Sequence, residues 1–141
     1  MIDEKTRSGF QKALQAWFRK QGRELPWRED PSPYRVLISE FMLQQTTVAA
    51  VLPYFDRWMR ALPHVASLAA APEEKILKLW EGLGYYSRAR RLRQGARQLL
   101  GQPWPRDLDG WLALPGIGRS TAGGILSSAF DQPEAILDGN V

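Results

Sequence analysis

The chain of 141 residues has no cysteine and only one histidine, His64. Without thiols it has neither a disulfide framework nor a thiolate metal site, and a single imidazole does not make a histidine-based zinc site. No apolar run reaches the length of a transmembrane helix, and residues 1–30 contain no apolar signal segment. We therefore expect an intracellular protein that holds no metal ion of its own and does not enter a membrane.

Stretches that alternate apolar and polar residues with a period of two are also missing, so strands are not expected. Apolar residues recur instead at helical spacing between prolines and glycines, which predicts about eight short helices in one all-α body. Hydrophobic residues make up 44% of the chain, enough for one globular core. The predicted helices cover 5–20, about 34–46, about 48–61, a short segment after Pro63, Pro72 to Gly82, 85–101, about 108–114, and the segment after Gly118.

The net charge of +4 favours an anionic partner, and one segment concentrates positive charge. Tyr85 and Tyr86 precede a run of arginines, of which Arg90, Arg93 and Arg97 share one face of a predicted helix. Arginines on one face with aromatic residues at its start suit a phosphate backbone and a stacked base. A solvated arginine face over an apolar core is the alternative.

The stretch ALPGIGRSTAGGILSSAF places a glycine-rich turn directly before a helix. Pro115 ends what precedes it, Gly116 and Gly118 permit a tight turn, and Ser120 and Thr121 suit the first turn of the helix. The unpaired N–H groups at a helix N-terminus attract anions, so the junction predicts a phosphate site. An ordinary helix that follows a glycine cap is the alternative.

Two carboxylates are candidates for acid–base chemistry. Glu40 lies in a segment that is apolar around most of the helix, so it occupies either a narrow exposed stripe or a pocket. In a pocket, burial raises the pKa and makes the group a general acid near neutral pH. Asp138 either caps a helix that would follow it or faces a developing positive charge. If the two meet, the pair fits the hydrolysis of a glycosidic bond.

Five segments together resemble a known family. They are ELPWR (24–28), PYRVLISEFMLQQTTVAAVLPYF (33–55), LWEGLGYYSRARRL (79–92), LPGIGRSTAGGIL (114–126) and ILDGNV (136–141). In this order they resemble the helix-hairpin-helix superfamily of DNA glycosylases, and within it the adenine DNA glycosylase family. The resemblance implies base excision repair, in which an adenine mispaired with 8-oxoguanine or guanine is flipped out of the duplex and its N-glycosidic bond is hydrolysed.

The resemblance also implies a domain layout. It predicts an all-α helix-hairpin-helix fold with a six-helix barrel over 29–135 and the hairpin at 113–122. The helix within 1–28 would pack on a later domain that carries a four-cysteine iron–sulfur cluster in the family. The chain has no cysteine and reaches only the start of that part, at 136–141. We therefore expect a fold truncated before the iron–sulfur domain, with no cluster in this chain.

Catalytic and pocket roles follow from the matching motifs. The resemblance implies that Glu40 is the general acid that protonates the adenine ring, and that Asp138 stabilises the oxocarbenium ion. Asn140 is expected to orient that carboxylate or the attacking water. Trp27 and Arg28 match residues that line the pocket of the flipped base.

Other matching positions concern the duplex and the absence of strand cleavage. Gln45 and Tyr85 match residues that wedge into the duplex beside the oxidised guanine, and Gln44 belongs to the same pocket and wedge. Endonuclease III-like relatives carry a lysine at the position of Ser120, and its amine forms a Schiff base and cleaves the strand. A hydroxyl cannot form an imine, so the resemblance implies a monofunctional glycosylase.

The expected partner is double-stranded DNA that contains an adenine mispair. We expect a monomer in the bacterial cytoplasm, at the nucleoid, without membrane contact. A non-catalytic helix-hairpin-helix DNA-binding fragment is the alternative to the enzyme. The residues expected to contact DNA are Pro115, Gly116, Ile117, Gly118, Arg119, Ser120 and Thr121 of the hairpin, together with Arg88 and Arg90.

Overall fold

A computed structural model describes residues 25–44 and 46–130. Within these ranges the chain is helical and contains no strand, which confirms the all-α prediction there. None of the helices in these ranges has the length and hydropathy to cross a membrane. The helices are α1 (Pro26–Glu29), α2 (Pro33–Leu43), α3 (Val48–Ala61), α4 (Val65–Ala70), α5 (Glu73–Trp80), α6 (Ser87–Leu99), α7 (Leu108–Leu112) and α8 (Arg119–Phe130).

Side-chain caps fix the starts of three helices. The hydroxyl of Ser32 before α2, that of Thr47 before α3 and the carboxylate of Asp107 before α7 each accept a hydrogen bond from a backbone N–H three residues later. Each cap satisfies one of the N–H groups that have no partner inside the helix. Pro33 occupies the first position of α2, where its fixed φ suits a helix and its missing N–H is not needed.

The predicted helix bounds agree closely with the structure. The third helix spans Val48–Ala61, as predicted. The preceding helix ends at Leu43 rather than near residue 46, because Gln44 takes an extended conformation, with φ −61° and ψ 116°. The predicted helix over 5–20 lies outside the described residues, and the proposed domain bounds stay predictions.

The core is centred on α2, which packs between α3 and α8. Ile38, Phe41 and Met42 of this helix are almost completely buried. Three fully buried tryptophans fill the surrounding space, and two of them meet edge to face with ring centroids 5.9 Å apart. The helix α6 closes the body against α4 and α5. The tryptophans are Trp58, Trp80 and Trp111.

A buried hydrogen-bond relay ties the start of α2 to the end of α3. The hydroxyl of Tyr34 donates to the carbonyl of Leu62 at 2.6 Å and accepts from the indole N–H of Trp58 at 3.1 Å. Burial raises the pKa of the Tyr34 hydroxyl, so it stays protonated as a donor. The relay therefore fixes α2 against α3, and with α2 the direction of its later side chains.

Candidate active site and nucleic-acid interface

Glu40 lies on the side of α2 that faces α8. Its carboxylate is set directly against Gly124, in the middle of α8. A Cβ at that position would be 2.8 Å from one carboxylate oxygen of Glu40 and 3.2 Å from the other. Because Gly124 has no side chain, the carboxyl group can approach the backbone of α8 closely. The two facing helices therefore form a partly buried recess with an acidic group in it.

The environment of Glu40 favours the neutral acid. Burial raises its pKa from 4.5 to about 7, and the positive charge of Arg28 opposes that rise. Among the described residues, none donates a hydrogen bond to this carboxylate. Burial dominates because the ionised group loses more hydration than a nearby cation returns. Glu40 therefore holds a proton up to neutral pH, as a general acid must.

The short helix α1 brings the predicted pocket residues beside this recess. Trp27 is buried and meets Phe55 of α3 edge to face, with ring centroids 5.0 Å apart. Arg35 fastens α1 to α2, since its guanidinium donates hydrogen bonds to two backbone carbonyls around α1 at 3.1 Å. Arg28 is exposed, and its charge reaches Glu40. The structure thus places the charge of Arg28 near Glu40, while the ring of Trp27 packs against α3.

Gln44 connects the end of α2 to the start of α8. Its side-chain N–H donates to the hydroxyl of Thr121 at 3.2 Å. Thr121 is buried and was expected to contact DNA, whereas here its hydroxyl holds a glutamine in place. The bond positions the Gln44 side chain above the first turn of α8. Gln45, the predicted wedge residue, lies outside the described residues.

The glycine-rich turn sits closely on the core. Gly116 has φ +80°, and a Cβ there would lie 2.9 Å from a side-chain carbon of Arg91 and 3.1 Å from the ring of Phe41. Leu114 and Ile117 on either side are buried. The predicted need for glycine therefore holds at 116 for two reasons, the left-handed backbone and the close approach.

The outer part of the same turn faces solvent. Gly118, Arg119 and Ser120 are exposed, and α8 begins here, since the N–H of Ala122 donates to the carbonyl of Gly118 at 2.9 Å. Gly118 does not use its conformational freedom, and a Cβ there would meet nothing within 4 Å. An exposed helix start that carries an arginine is suited to an anion such as a phosphate. Ser120 offers only a hydroxyl at this point.

Tyr85 projects from the loop between α5 and α6. Its side chain is 66% exposed, and its backbone has φ 50°, an uncommon value for a residue with a side chain. The neighbouring Tyr86 is also exposed. An exposed aromatic side chain on a loop is suited to stacking against or between bases. This placement agrees with the predicted wedge role without testing it.

Three arginines of α6 make contacts within the protein that the sequence analysis did not predict. Arg93 and Arg97 donate from Nε to the carbonyls of Ala71 and Ala69, at 3.0 and 3.2 Å. Those carbonyls belong to the end of α4, where the last C=O groups have no partner inside the helix. Arg90 is exposed but pairs with Glu73 at 3.1 Å. Two of the three arginines on this face therefore bond to the end of a neighbouring helix, and the third forms an ion pair.

Arg88, expected among the phosphate contacts, is instead buried. Only 6% of the residue is exposed, and its guanidinium donates hydrogen bonds to backbone carbonyls of two loops. A buried guanidinium with this set of partners does not reach a phosphate at the surface. The reason is local, since the end of α2 presents unpaired carbonyls to it.

The sequence analysis missed one residue of the site, Gly124, and one contact, that of Thr121 with Gln44. Gly124 admits the carboxyl group of Glu40, and Thr121 holds Gln44. The double glycine inside a predicted helix was the available signal for the first, because glycine in a helix interior lowers stability and usually serves close packing. No spacing rule signals the second, since its partner lies 77 positions away.

Several predicted features lie outside the described residues. Asp138 and Asn140 belong to this group, so the structure does not test their meeting with Glu40. No group of three or more histidine, aspartate or glutamate residues suited to a metal ion occurs within the described ranges. The chain has no cysteine, so none of its residues can supply the thiolate ligands of an iron–sulfur cluster.

Comparison with known proteins decides the family. Residues 38–141 match the model of the HhH-GPD superfamily of base excision DNA repair proteins. The chain belongs to this superfamily. It is 46% identical to the adenine DNA glycosylase of Mus musculus over 95% of the chain and 28% of that protein. It is 42% identical to the adenine DNA glycosylase of Buchnera aphidicola subsp. Baizongia pistaciae over 94% of the chain and 39% of that protein.

Solved structures show the same superfamily fold. A thermostable thymine-DNA glycosylase matches with a TM-score of 0.80 and 28% identity, over 95% of this chain and 64% of that one. A non-covalent endonuclease III–DNA complex matches with a TM-score of 0.78 and 26% identity, over 99% of this chain and 65% of that one. The predicted helix-hairpin-helix glycosylase fold is thus confirmed for this HhH-GPD chain. The chain spans less than two-fifths of the length of the adenine DNA glycosylases named above.

Proposed function

We propose that this HhH-GPD chain acts in base excision repair as a monofunctional glycosylase that releases adenine from a mispair with 8-oxoguanine or guanine. The observation that carries the proposal is the partly buried carboxyl group of Glu40, whose pKa of about 7 lets it hold a proton at neutral pH. Removal of adenine needs such a proton donor, because the departing base is a poor leaving group until a ring nitrogen is protonated. The adenine DNA glycosylases that match the chain support the choice of base.

The proposed reaction begins with the adenine flipped out of the duplex and placed in the recess beside Glu40. The carboxyl proton moves to a ring nitrogen while the bond between the sugar C1′ and the base breaks, and its electron pair leaves with the base. The sugar becomes an oxocarbenium ion, which the carboxylate of Asp138 is proposed to stabilise, with Asn140 orienting that carboxylate or the water. Water adds to C1′ and loses a proton, which leaves an abasic site and free adenine.

The grip on DNA is assigned to three exposed features. The hairpin at the start of α8 offers Arg119 and unpaired backbone N–H groups to a phosphate. Tyr85 is proposed to enter the duplex together with Gln45 and fill the space that the flipped base leaves. The membership of the superfamily and the structural match to the endonuclease III–DNA complex support the proposal that these features contact DNA.

Strand cleavage is not part of the proposal. A lyase step needs an amine that forms an imine with the opened sugar. The hairpin position where a lysine would supply this amine carries Ser120. The lysines among the described residues, Lys75 and Lys78, lie on α5 instead. The product is therefore proposed to be an intact strand with an abasic site.

A single-turnover assay tests the proposal. The 141-residue chain is mixed in excess with a duplex that holds one adenine opposite 8-oxoguanine, and samples are examined with and without alkali. Glu40→Gln is the test variant, and Glu74→Gln, an exposed glutamate on α5, is its matched control. We expect breakage only after alkali, retained in Glu74→Gln and lost in Glu40→Gln. Breakage without alkali, or full activity in Glu40→Gln, would overturn the mechanism.

A helix-hairpin-helix module that only binds DNA is the second candidate. The observation that favours it is the hairpin itself, which exposes Gly118, Arg119 and Ser120 at the start of α8, where a phosphate can bind. Its signature would be binding to the duplex that weakens with salt, without adenine release at any pH. That result would replace the enzyme by the binding module.

A further inference from the structure

Two loops meet at the guanidinium of Arg88. One Nη atom donates to the carbonyl of Phe41, at 2.7 Å, and to that of Gln44, both at the end of α2. The other Nη atom is 3.4 Å from the carbonyls of Leu83 and Gly84, in the loop before α6. A single rigid fork thus fastens the loop after α2 to the loop that carries Tyr85.

Arg88 also contacts Tyr85 directly, through both side chain and backbone. The guanidinium of Arg88 lies 5.6 Å from the centre of the Tyr85 ring. The backbone N–H of Arg88 donates to the carbonyl of Tyr85 at 3.0 Å. The guanidinium also lies 5.2 Å from the centre of the ring of the buried Trp80, whose indole N–H donates to the carbonyl of Gly84 at 2.9 Å. The guanidinium is therefore close to one buried ring and one exposed ring.

The conformation of Tyr85 needs such support. A residue with a side chain at φ 50° is disfavoured and persists only where its surroundings hold it. Exposure leaves the outer side of the Tyr85 ring without protein contacts that could do so. The adjoining Gly84 has φ 75° and adds no rigidity of its own. Among the described residues, Arg88 contacts both the ring and the backbone of Tyr85 and can therefore support this backbone geometry.

We propose that Arg88 is a positioning residue that holds Tyr85, and with it the loop after α2, in the projecting geometry that enters DNA. Arg88 then affects DNA binding without touching a phosphate. The inference deepens the proposed function and rests on it for the role of Tyr85. It differs from a phosphate contact in two measurable ways, the salt dependence of binding and the response to loss of Tyr85.

The first test measures the affinity of the full chain for a fluorescent duplex with one adenine opposite 8-oxoguanine, at several salt concentrations. Tyr85→Ala and Arg88→Met are each expected to weaken binding about tenfold, the scale of one lost stacking contact. In the Tyr85→Ala background, Arg88→Met should weaken binding clearly less than it does in the wild type, because the part of its effect that acts through Tyr85 is already lost. Equal losses in both backgrounds would overturn the proposal.

The salt dependence supplies the second criterion. Arg88→Met should leave the slope of log affinity against log salt unchanged, whereas loss of a phosphate contact lowers it by about one. Arg119→Met, at the exposed hairpin, is the comparison variant expected to lower it. Arg88→Lys keeps the charge but cannot bridge both loops, so it should not restore affinity. A reduced slope in Arg88→Met, or recovery in Arg88→Lys, would assign Arg88 to the phosphates instead.

A measurement on the free protein separates this inference from the proposed function. Hydrogen exchange of the backbone amides should accelerate at 41–44 and 83–88 in Arg88→Lys, and not in Arg90→Met, whose arginine is exposed. Unchanged exchange in both segments would overturn the positioning role even if DNA binds. A wild-type chain that binds no duplex would overturn the proposed function, while the exchange result would still decide whether Arg88 holds the two loops.

Discussion

Two ionisable side chains next to α2 have opposite environments, since Glu40 is partly buried without a hydrogen-bond donor among the described residues and Arg88 is almost completely buried among acceptors. Glu40 faces α8 with no hydrogen-bond donor among the described residues, and its pKa rises from 4.5 to about 7. Arg88 lies at the C-terminal end of α2, where its guanidinium donates to the carbonyls of Phe41 and Gln44 and lies 3.4 Å from that of Gly84. A buried charge with partners is a structural element, whereas a buried group without partners keeps a transferable proton.

The difference assigns a catalytic role to Glu40 and a structural role to Arg88. The carboxyl group of Glu40 fits against α8 because Gly124 has no Cβ that would collide with it. Arg88 is placed by the presence of acceptors that a helix end leaves unpaired. Mutation should therefore affect activity at the first residue and order at the second.

The largest expected effect is on catalysis. Glu40→Gln removes the transferable proton while keeping the size of the side chain, so adenine release in single turnover should fall about a thousandfold. In the wild type the rate should decline above pH 7, as the acid with a pKa of about 7 ionises. A rate that stays constant from pH 6 to pH 9 would show that Glu40 is not the acid.

The next largest effect is on stability at the other charge. Arg88→Met leaves carbonyls of two loops without their charged donor, so the free energy of unfolding should fall by about 3 kcal/mol. Urea denaturation measures the change, which should be equal at pH 5 and pH 8 because an arginine does not titrate there. A change confined to one of these pH values would place Arg88 in a titrating network instead.

The pH dependence of stability sharpens the comparison further. The unfolded carboxyl group has a pKa near 4.5 and the folded Glu40 about 7, so the folded state binds the proton more tightly. The stabilisation is complete below pH 4.5 and is lost as the pH rises through 7. Glu40→Gln should therefore match the wild type at pH 4 and exceed its unfolding free energy at pH 8, by about 2 kcal/mol. Equal denaturation midpoints of Glu40→Gln and the wild type at pH 8 would contradict the raised pKa of Glu40.

The smallest effect compares two glycines of the hairpin. Gly116→Ala introduces a Cβ 2.9 Å from Arg91 at a positive φ, and should lower the unfolding free energy by about 1–2 kcal/mol. Gly118→Ala is the matched control, because nothing lies within 4 Å of its new Cβ. Its effect should stay within about 0.5 kcal/mol. Similar melting temperatures for the two variants would argue against the tight seating of the turn.

The helices could largely be predicted from the sequence, whereas the contacts between distant residues could not. Helical spacing and proline positions placed α3 at its observed bounds. The apolar surroundings of Glu40 left two interpretations open, and only the packing of α8 decided for the recess. The sequence could not predict that Arg93 and Arg97 donate to backbone carbonyls, because charge patterning does not show that the end of another helix supplies acceptors. Contacts such as Gln44 with Thr121 join distant positions, and no periodic pattern encodes them.

The Tyr34 relay has a consequence for the order in which the molecule folds. It closes a loop of 28 positions, from the first turn of α2 to the residue after α3. Contacts at short sequence separation form early, because closing a short loop loses little chain entropy. The α2–α3 pair is thus suited to act as a folding nucleus on which α8, from a distant part of the chain, docks later. Glu40 would then be in place on its scaffold before the helix that buries it arrives.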